Sequence, residues 1–187
     1  MDSTKSITQT PSKFLYFAYG SNMSEKRIHI NNPSAVKCRI GKLKDFRLDF
    51  NTQSKRWHGA SATIIPTEDS HVWGVIWLLD NKDMPNLDEQ EGVDQKIYFP
   101  MTVEVEVPDL RDRPFKCRVY QQCTNPEEFQ VLSQLPEERR PSQVYLNTII
   151  QGAVENELPS YYIEFLKTIA HNGYTGEVDI GLALNEI

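Results

Sequence analysis

Apolar and polar positions along the chain fall into a succession of short periods. Phe14-Leu15-Tyr16-Phe17-Ala18-Tyr19 is an unbroken apolar, aromatic run that stops at Gly20-Ser21-Asn22, and it predicts a buried strand. The next residues read as a helix start, with Asn22 as its cap and Glu25 three residues later, the spacing of a reciprocal cap. This helix reaches about His29, and Asn31-Asn32-Pro33-Ser34 breaks it. Val36 to Phe50 has strand character: Phe46, Leu48 and Phe50 alternate with Arg47 and Asp49, which predicts one buried and one wet face. Ala60–Ile65 predicts another strand, ended by Pro66. His71 to Asp80 holds Val72-Trp73-Gly74-Val75-Ile76-Trp77-Leu78-Leu79, too apolar for an edge. Its Gly74 marks a bulge or a close approach.

Tyr98 to Val107 alternates Met101, Val103, Val105 and Val107 against Thr102, Glu104 and Glu106, with Phe115–Tyr120 as its hairpin partner. Residues 124–142 are polar and rich in proline and predict a long connection. Two helices close the pattern. Ser142 caps the first, which presents Tyr145, Ile149 and Ala153 on one face. Pro159 opens the second and Gly173 stops it. The class is α+β, with a mixed or mostly antiparallel sheet whose many short strands can close into a barrel flanked by helices.

The length of 187 residues suits one domain, expected over residues 13–187 behind a disordered tail, 1–12. A formal net charge of −6 with no long basic run argues against nucleic acid as a partner. Three cysteines, Cys38, Cys117 and Cys123, form no Cys-x-x-Cys pair and fit a reducing compartment. Residues 1–12 are rich in Ser and Thr without an apolar segment, and no stretch reaches membrane-spanning length. A cytoplasmic protein with no membrane partner is the expectation.

One carboxylate is out of place. Asp83 to Gly92 predicts a helix of about two turns, with Pro85 early and Gly92 as its stop. At ~100° per residue, Met84 and Leu87 define its apolar face and Glu91 falls between them. A carboxylate turned toward apolar surroundings loses hydration, and its pKa rises toward the range useful for proton transfer near neutrality. An acid that frays into water at a helix end has the same spacing. Asp88 and Glu89 read as solvated. Gly20-Ser21-Asn22, between a buried strand and a helix start, offers amides to an anion or a developing oxyanion, although a capped turn has the same sequence. His58, beside Trp57 and Gly59, reads as a surface or packing residue. The sequence contains no Ser-His-Asp spacing, P-loop, dinucleotide fingerprint or His-x-x-x-His pair.

Several motifs, in order, resemble the γ-glutamylcyclotransferase family. They include Tyr19-Gly20-Ser21-Asn22, Asn32-Pro33-Ser34-Ala35, Asp45 to Phe50, Trp57-His58-Gly59 and Val72-Trp73-Gly74-Val75. Further along stand Leu87 to Val93, Pro141-Ser142 followed by Tyr145, Gly152-Ala153, Glu155-Asn156, Leu158-Pro159 and Asn172 to Gly176. The resemblance spans roughly residues 14–178 and is nearest to the branch acting on γ-glutamyl amino acids. Loops 108–114 and 121–140 carry no match. The resemblance implies a compact barrel with flanking helices, no metal, no cofactor and often a homodimer. It implies release of 5-oxoproline and a free amino acid from a γ-glutamyl dipeptide, within glutathione-related metabolism. It places the catalytic glutamate at Glu91 and substrate contacts at Tyr16, Phe17, Ala18, Tyr19, Gly20, Ser21 and Tyr145. Asn22 completes the loop whose amides would meet a substrate oxygen. The rival readings are a non-catalytic γ-glutamyl-binding protein, a cyclotransferase for γ-glutamylamines or whole glutathione, and an interaction module.

Overall fold

In the computed structural model, residues 12–110 and 112–180 are described; the expected tail lies outside them except for Ser12. The first apolar run is strand β1 (Lys13–Ala18). After a 3₁₀ turn, Ser21–Met23, comes the short helix α1 (Glu25–His29). Its cap is Ser24, which accepts from Arg27 N at 3.3 Å, and not Asn22 as the sequence suggested. The 3₁₀ turn shifts the helix start by two residues and frees the Asn22 side chain to point inward.

Strands β2 (Val36–Ser54) and β3 (Gly59–Asp80) form one long antiparallel ribbon. Pro66 does not end a strand, contrary to expectation. It stands opposite Phe46, beside a register shift between Lys44 and Phe46, where a residue without an N–H is tolerated. That shift and two others, at Lys37/Arg39 and Phe50/Gln53, bend the ribbon. Asp49, expected on a wet face, is fully buried. The 124–142 connection covers that face: Leu132 and Leu135 are buried, and Arg139 reaches both the Phe50 carbonyl, at 3.1 Å, and the Asp49 carboxylate.

After β3 come helix α2 (Met84–Gln90) and the hairpin of β4 (Tyr98–Val105) and β5 (Phe115–Gln122). The chain ends with α3 (Gln143–Glu155), capped by Ser142 as expected, and α4 (Ser160–Lys167). Helix α4 stops well before Gly173, which takes φ +80° in the segment beyond; the expected stop is therefore displaced.

The sheet order is β2-β3-β1-β5-β4, with β1 parallel to β5 and the other pairs antiparallel. A side chain on Gly74 would collide with the Ala18 carbonyl and the Phe17 ring, so the close approach read from the sequence is present. The barrel expectation needs correction. The sheet curls until its edges touch, yet among the described residues only Lys42 and Glu106 pair across the gap, through backbone bonds of 2.8 and 3.0 Å. Gly41 permits this contact, because a Cβ there would overlap Val105. The α+β class holds, and the sheet stays open. No described helix is long and apolar enough to cross a membrane.

Candidate active site

The loop after β1, the end of α2, the tip of the β2–β3 ribbon and the start of α3 surround a cavity of about 570 Å³. Glu91 lines it together with Tyr16, Tyr19, Gly20, Ser21, Asn22 and Tyr145. The inward acid and the Gly20–Asn22 loop therefore share one cavity. Phe17 and Ala18 do not line the cavity. Both are buried in the core, where Phe17 packs against β3 at Gly74.

Glu91 is the C-terminal cap residue of α2, and its N–H still bonds to the Leu87 carbonyl at 3.0 Å. Gly92 follows with φ +63°, a left-handed turn that glycine adopts without strain. The helix is thereby stopped with Glu91 still fixed on its inner face. Burial pushes the Glu91 carboxyl up, the Arg27 and Arg56 charges draw it back, and Asp88 adds a smaller upward push; the result is about 7.

Asn22, 4% exposed, ties the loop to the acid. Its Nδ2 donates to Tyr16 Oη at 3.1 Å and reaches Glu91 Oε1 at 3.5 Å. Its Oδ1 accepts from Gln90 Nε2 at 2.9 Å, and its carbonyl accepts from Trp77 Nε1 at 3.0 Å. Asn32 Nδ2 in turn donates to Gln90 Oε1 at 3.1 Å. This chain of amides fixes the Asn22 rotamer, so its role is to hold the side chains around the acid.

The tyrosines are similarly braced. Tyr19 Oη donates to the Tyr120 carbonyl at 2.6 Å, and Tyr145 Oη accepts from Ala62 N at 3.0 Å. Tyr98, read from the sequence only as the start of a strand, donates to the Ala62 carbonyl at 2.6 Å and lines the same cavity. Burial holds Tyr16, Tyr19, Tyr98 and Tyr145 well above the ordinary phenol range, so all four remain protonated; Tyr19 and Tyr98 give that proton to backbone carbonyls, whereas Tyr16 and Tyr145 accept from their partners and keep theirs for a ligand. Gly20 has φ −115°, and a Cβ there would stand 3.6 Å from Tyr145 Oη; a larger side chain would occupy ligand space. Trp57 and Arg27 also line the wall, with Arg27 Cζ 5.8 Å from the Trp57 ring centroid. The four-residue step from buried Met23 to Arg27 was a usable clue, the same kind of spacing that singled out Glu91.

An acid poised near neutrality faces a braced loop, hydroxyl donors and a cation. The arrangement can move a proton at one end of a small polar molecule while holding its oxygens. The AIG2-like family model matches residues 71–166. Mouse γ-glutamylcyclotransferase is 41% identical over 169 residues, covering 88% of this chain and 83% of the relative. The human protein of that name is 43% identical over the same length, with the same coverage. A solved γ-glutamyl cyclotransferase structure superposes with a TM-score of 0.78 at 40% identity, covering 89% of this chain and 94% of the other. Identity at this level over nearly the whole length of the chain establishes that it belongs to the γ-glutamylcyclotransferase family of enzymes.

Proposed function

We propose that this enzyme converts γ-glutamyl-L-amino acids into 5-oxoproline and the free amino acid, with Glu91 as the proton shuttle. The observation that carries the reading is the position of Glu91: it lies inside the cavity, within reach of Asn22, and is poised at about 7. The substrate's ammonium group gives one proton to the Glu91 carboxylate. The freed α-amine attacks the γ-carbonyl carbon, closing a five-membered ring and placing negative charge on the carbonyl oxygen. The C–N bond to the amino acid then breaks. Two protons leave the attacking nitrogen and two reach the departing one, so Glu91 ends as the carboxylate it began as.

Attacker and target share one molecule, and freezing the folded-back geometry can be worth several kcal/mol, up to roughly 7–11 in ideal cases. The Tyr16 and Tyr145 hydroxyls, whose protons are not given to a protein group, and the Gly20–Asn22 loop supply donors for the developing oxyanion. The reading places the enzyme in the cytosol, as a homodimer, in the turnover of glutathione-derived γ-glutamyl peptides. Incubation with γ-glutamyl-alanine should yield 5-oxoproline and alanine in equal amounts. Parallel incubations with a γ-glutamylamine and with glutathione should be slower. Faster turnover of either would reassign the substrate class, and no 5-oxoproline from any of them would overturn the reading.

A further inference from the structure

Arg27 is 2% exposed, yet neither its Nε nor its Nη1 has a hydrogen-bond partner. Among the described residues it forms no ion pair: the acids paired with arginine or lysine lie elsewhere, and Glu91 is not among them. A buried cation without an anion is costly, and folded proteins ordinarily supply the partner themselves. Its guanidinium is held on the cavity wall by the Trp57 face, 5.8 Å away. Arg27 and Glu91 are close enough for each charge to act on the other. The missing anion is therefore one that arrives in the cavity, beside Glu91.

We propose that Arg27 receives the α-carboxylate of the γ-glutamyl group, leaving the Gly20–Asn22 amides for the carbonyl oxygen that becomes negative. The inference rests on the cyclotransferase reading and adds a recognition residue to it. The substrate has two carboxylates. One is bonded to the same carbon as the reacting amine, so placing that amine at Glu91 necessarily places this carboxylate within a few ångströms of the acid. The other belongs to the departing amino acid, on the far side of the bond that breaks, and lies farther from the acid; of the cations lining the cavity, Lys55 and Arg56 are exposed and solvated, and Arg27 alone is buried. A planar guanidinium takes a carboxylate in two parallel hydrogen bonds, which would fix the amine's direction as well as its position. The product 5-oxoproline keeps the same carboxylate, so it should occupy the same subsite.

The test compares ligands that differ only in these groups, using the intact protein and the variants Arg27→Met and Arg27→Lys. 5-Oxoproline should bind the parent more tightly than 2-pyrrolidinone, the same ring without the carboxylate, by about 10–100-fold, the range of a charged hydrogen-bonded pair. Arg27→Met should abolish that preference and Arg27→Lys should keep part of it. Removing an unpaired buried cation should leave the melting temperature of the ligand-free Met variant unchanged or higher, which separates lost recognition from lost folding. If the Met variant does not fold, the Lys variant carries the comparison. Turnover of γ-glutamyl-alanine and γ-glutamyl-ethylamine, which lacks the departing carboxylate, should fall by the same factor in the variants. The proposal is overturned if the variants keep the preference for 5-oxoproline over 2-pyrrolidinone. It is equally overturned if they lose instead the parent's preference for γ-glutamyl-alanine over γ-glutamyl-ethylamine. A parent that turns over no γ-glutamyl substrate would refute the activity reading alone, because the binding comparison requires no turnover.

Discussion

Two inward-facing carboxylates in this protein have opposite surroundings. Asp49 is fully enclosed and fully partnered: its oxygens accept from Phe50 N at 2.8 Å, from Arg47 Nε at 3.3 Å and from Arg139. Glu91 faces a cavity with one long contact to Asn22, and the nearby arginine is left unpaired. The first arrangement joins the ribbon to the 124–142 connection. The second leaves charge uncompensated where a ligand can enter. Breaking the paired arrangement would strand a buried charge, whereas withheld pairing is what a binding and proton-transfer site requires.

The largest expected effect lies at the unpaired site. Glu91→Gln keeps the shape and removes the proton acceptor, so turnover should fall by roughly 10²–10⁴ while the fold persists. Parental 5-oxoproline production by this variant would remove Glu91 from the chemistry. At the paired site, Asp49→Ala leaves Arg47 and Arg139 uncompensated and should cost about 3–5 kcal/mol of stability, read by denaturant unfolding. A loss below about 1 kcal/mol, the range of exposed pairs, would erase the contrast.

A smaller effect depends on pH. The folded protein holds the Glu91 proton up to about pH 7, against an ordinary value of 4.5. Between those values the native state binds more protons than the unfolded chain, so this group's contribution falls as pH rises through the window. Relative to the parent, Glu91→Gln should therefore be more stable at pH 8 by about 3 kcal/mol, with the gain shrinking toward zero below pH 4.5. Melting curves at three pH values measure this; a pH-independent difference would mean that Glu91 ionises like a surface acid. The mildest expectation concerns rate. The base must be ionised, so kcat/KM should rise about tenfold per pH unit below the Glu91 value and level off near pH 7. A limb near pH 4.5 would place the working acid in water.

Much of the fold was legible because strand and helix periods are local properties. The β4–β5 hairpin, the Ser142 cap and the break at Gly92 all follow from neighbouring residues, and Glu91 declared itself by its spacing from Met84 and Leu87. The misreadings have causes that lie far along the chain. Pro66 looked like a stop because the bulge that accommodates it depends on a strand twenty residues away. Asn22 looked like a cap because its partners, Gln90 and Glu91, lie nearly seventy residues on. Phe17 and Ala18 belong to the same motif as the cavity residues but are buried behind them.

By itself the sequence determined the order and type of most elements, the family, and an acid turned toward apolar surroundings. Periodicity and motif are written along the chain, so they need no coordinates. Only the tertiary structure decided that the sheet stays open, that Asp49 is enclosed, and that Arg27 stands unpaired beside Glu91. These depend on which distant surfaces meet, and burial and charge pairing are properties of that meeting rather than of any one segment.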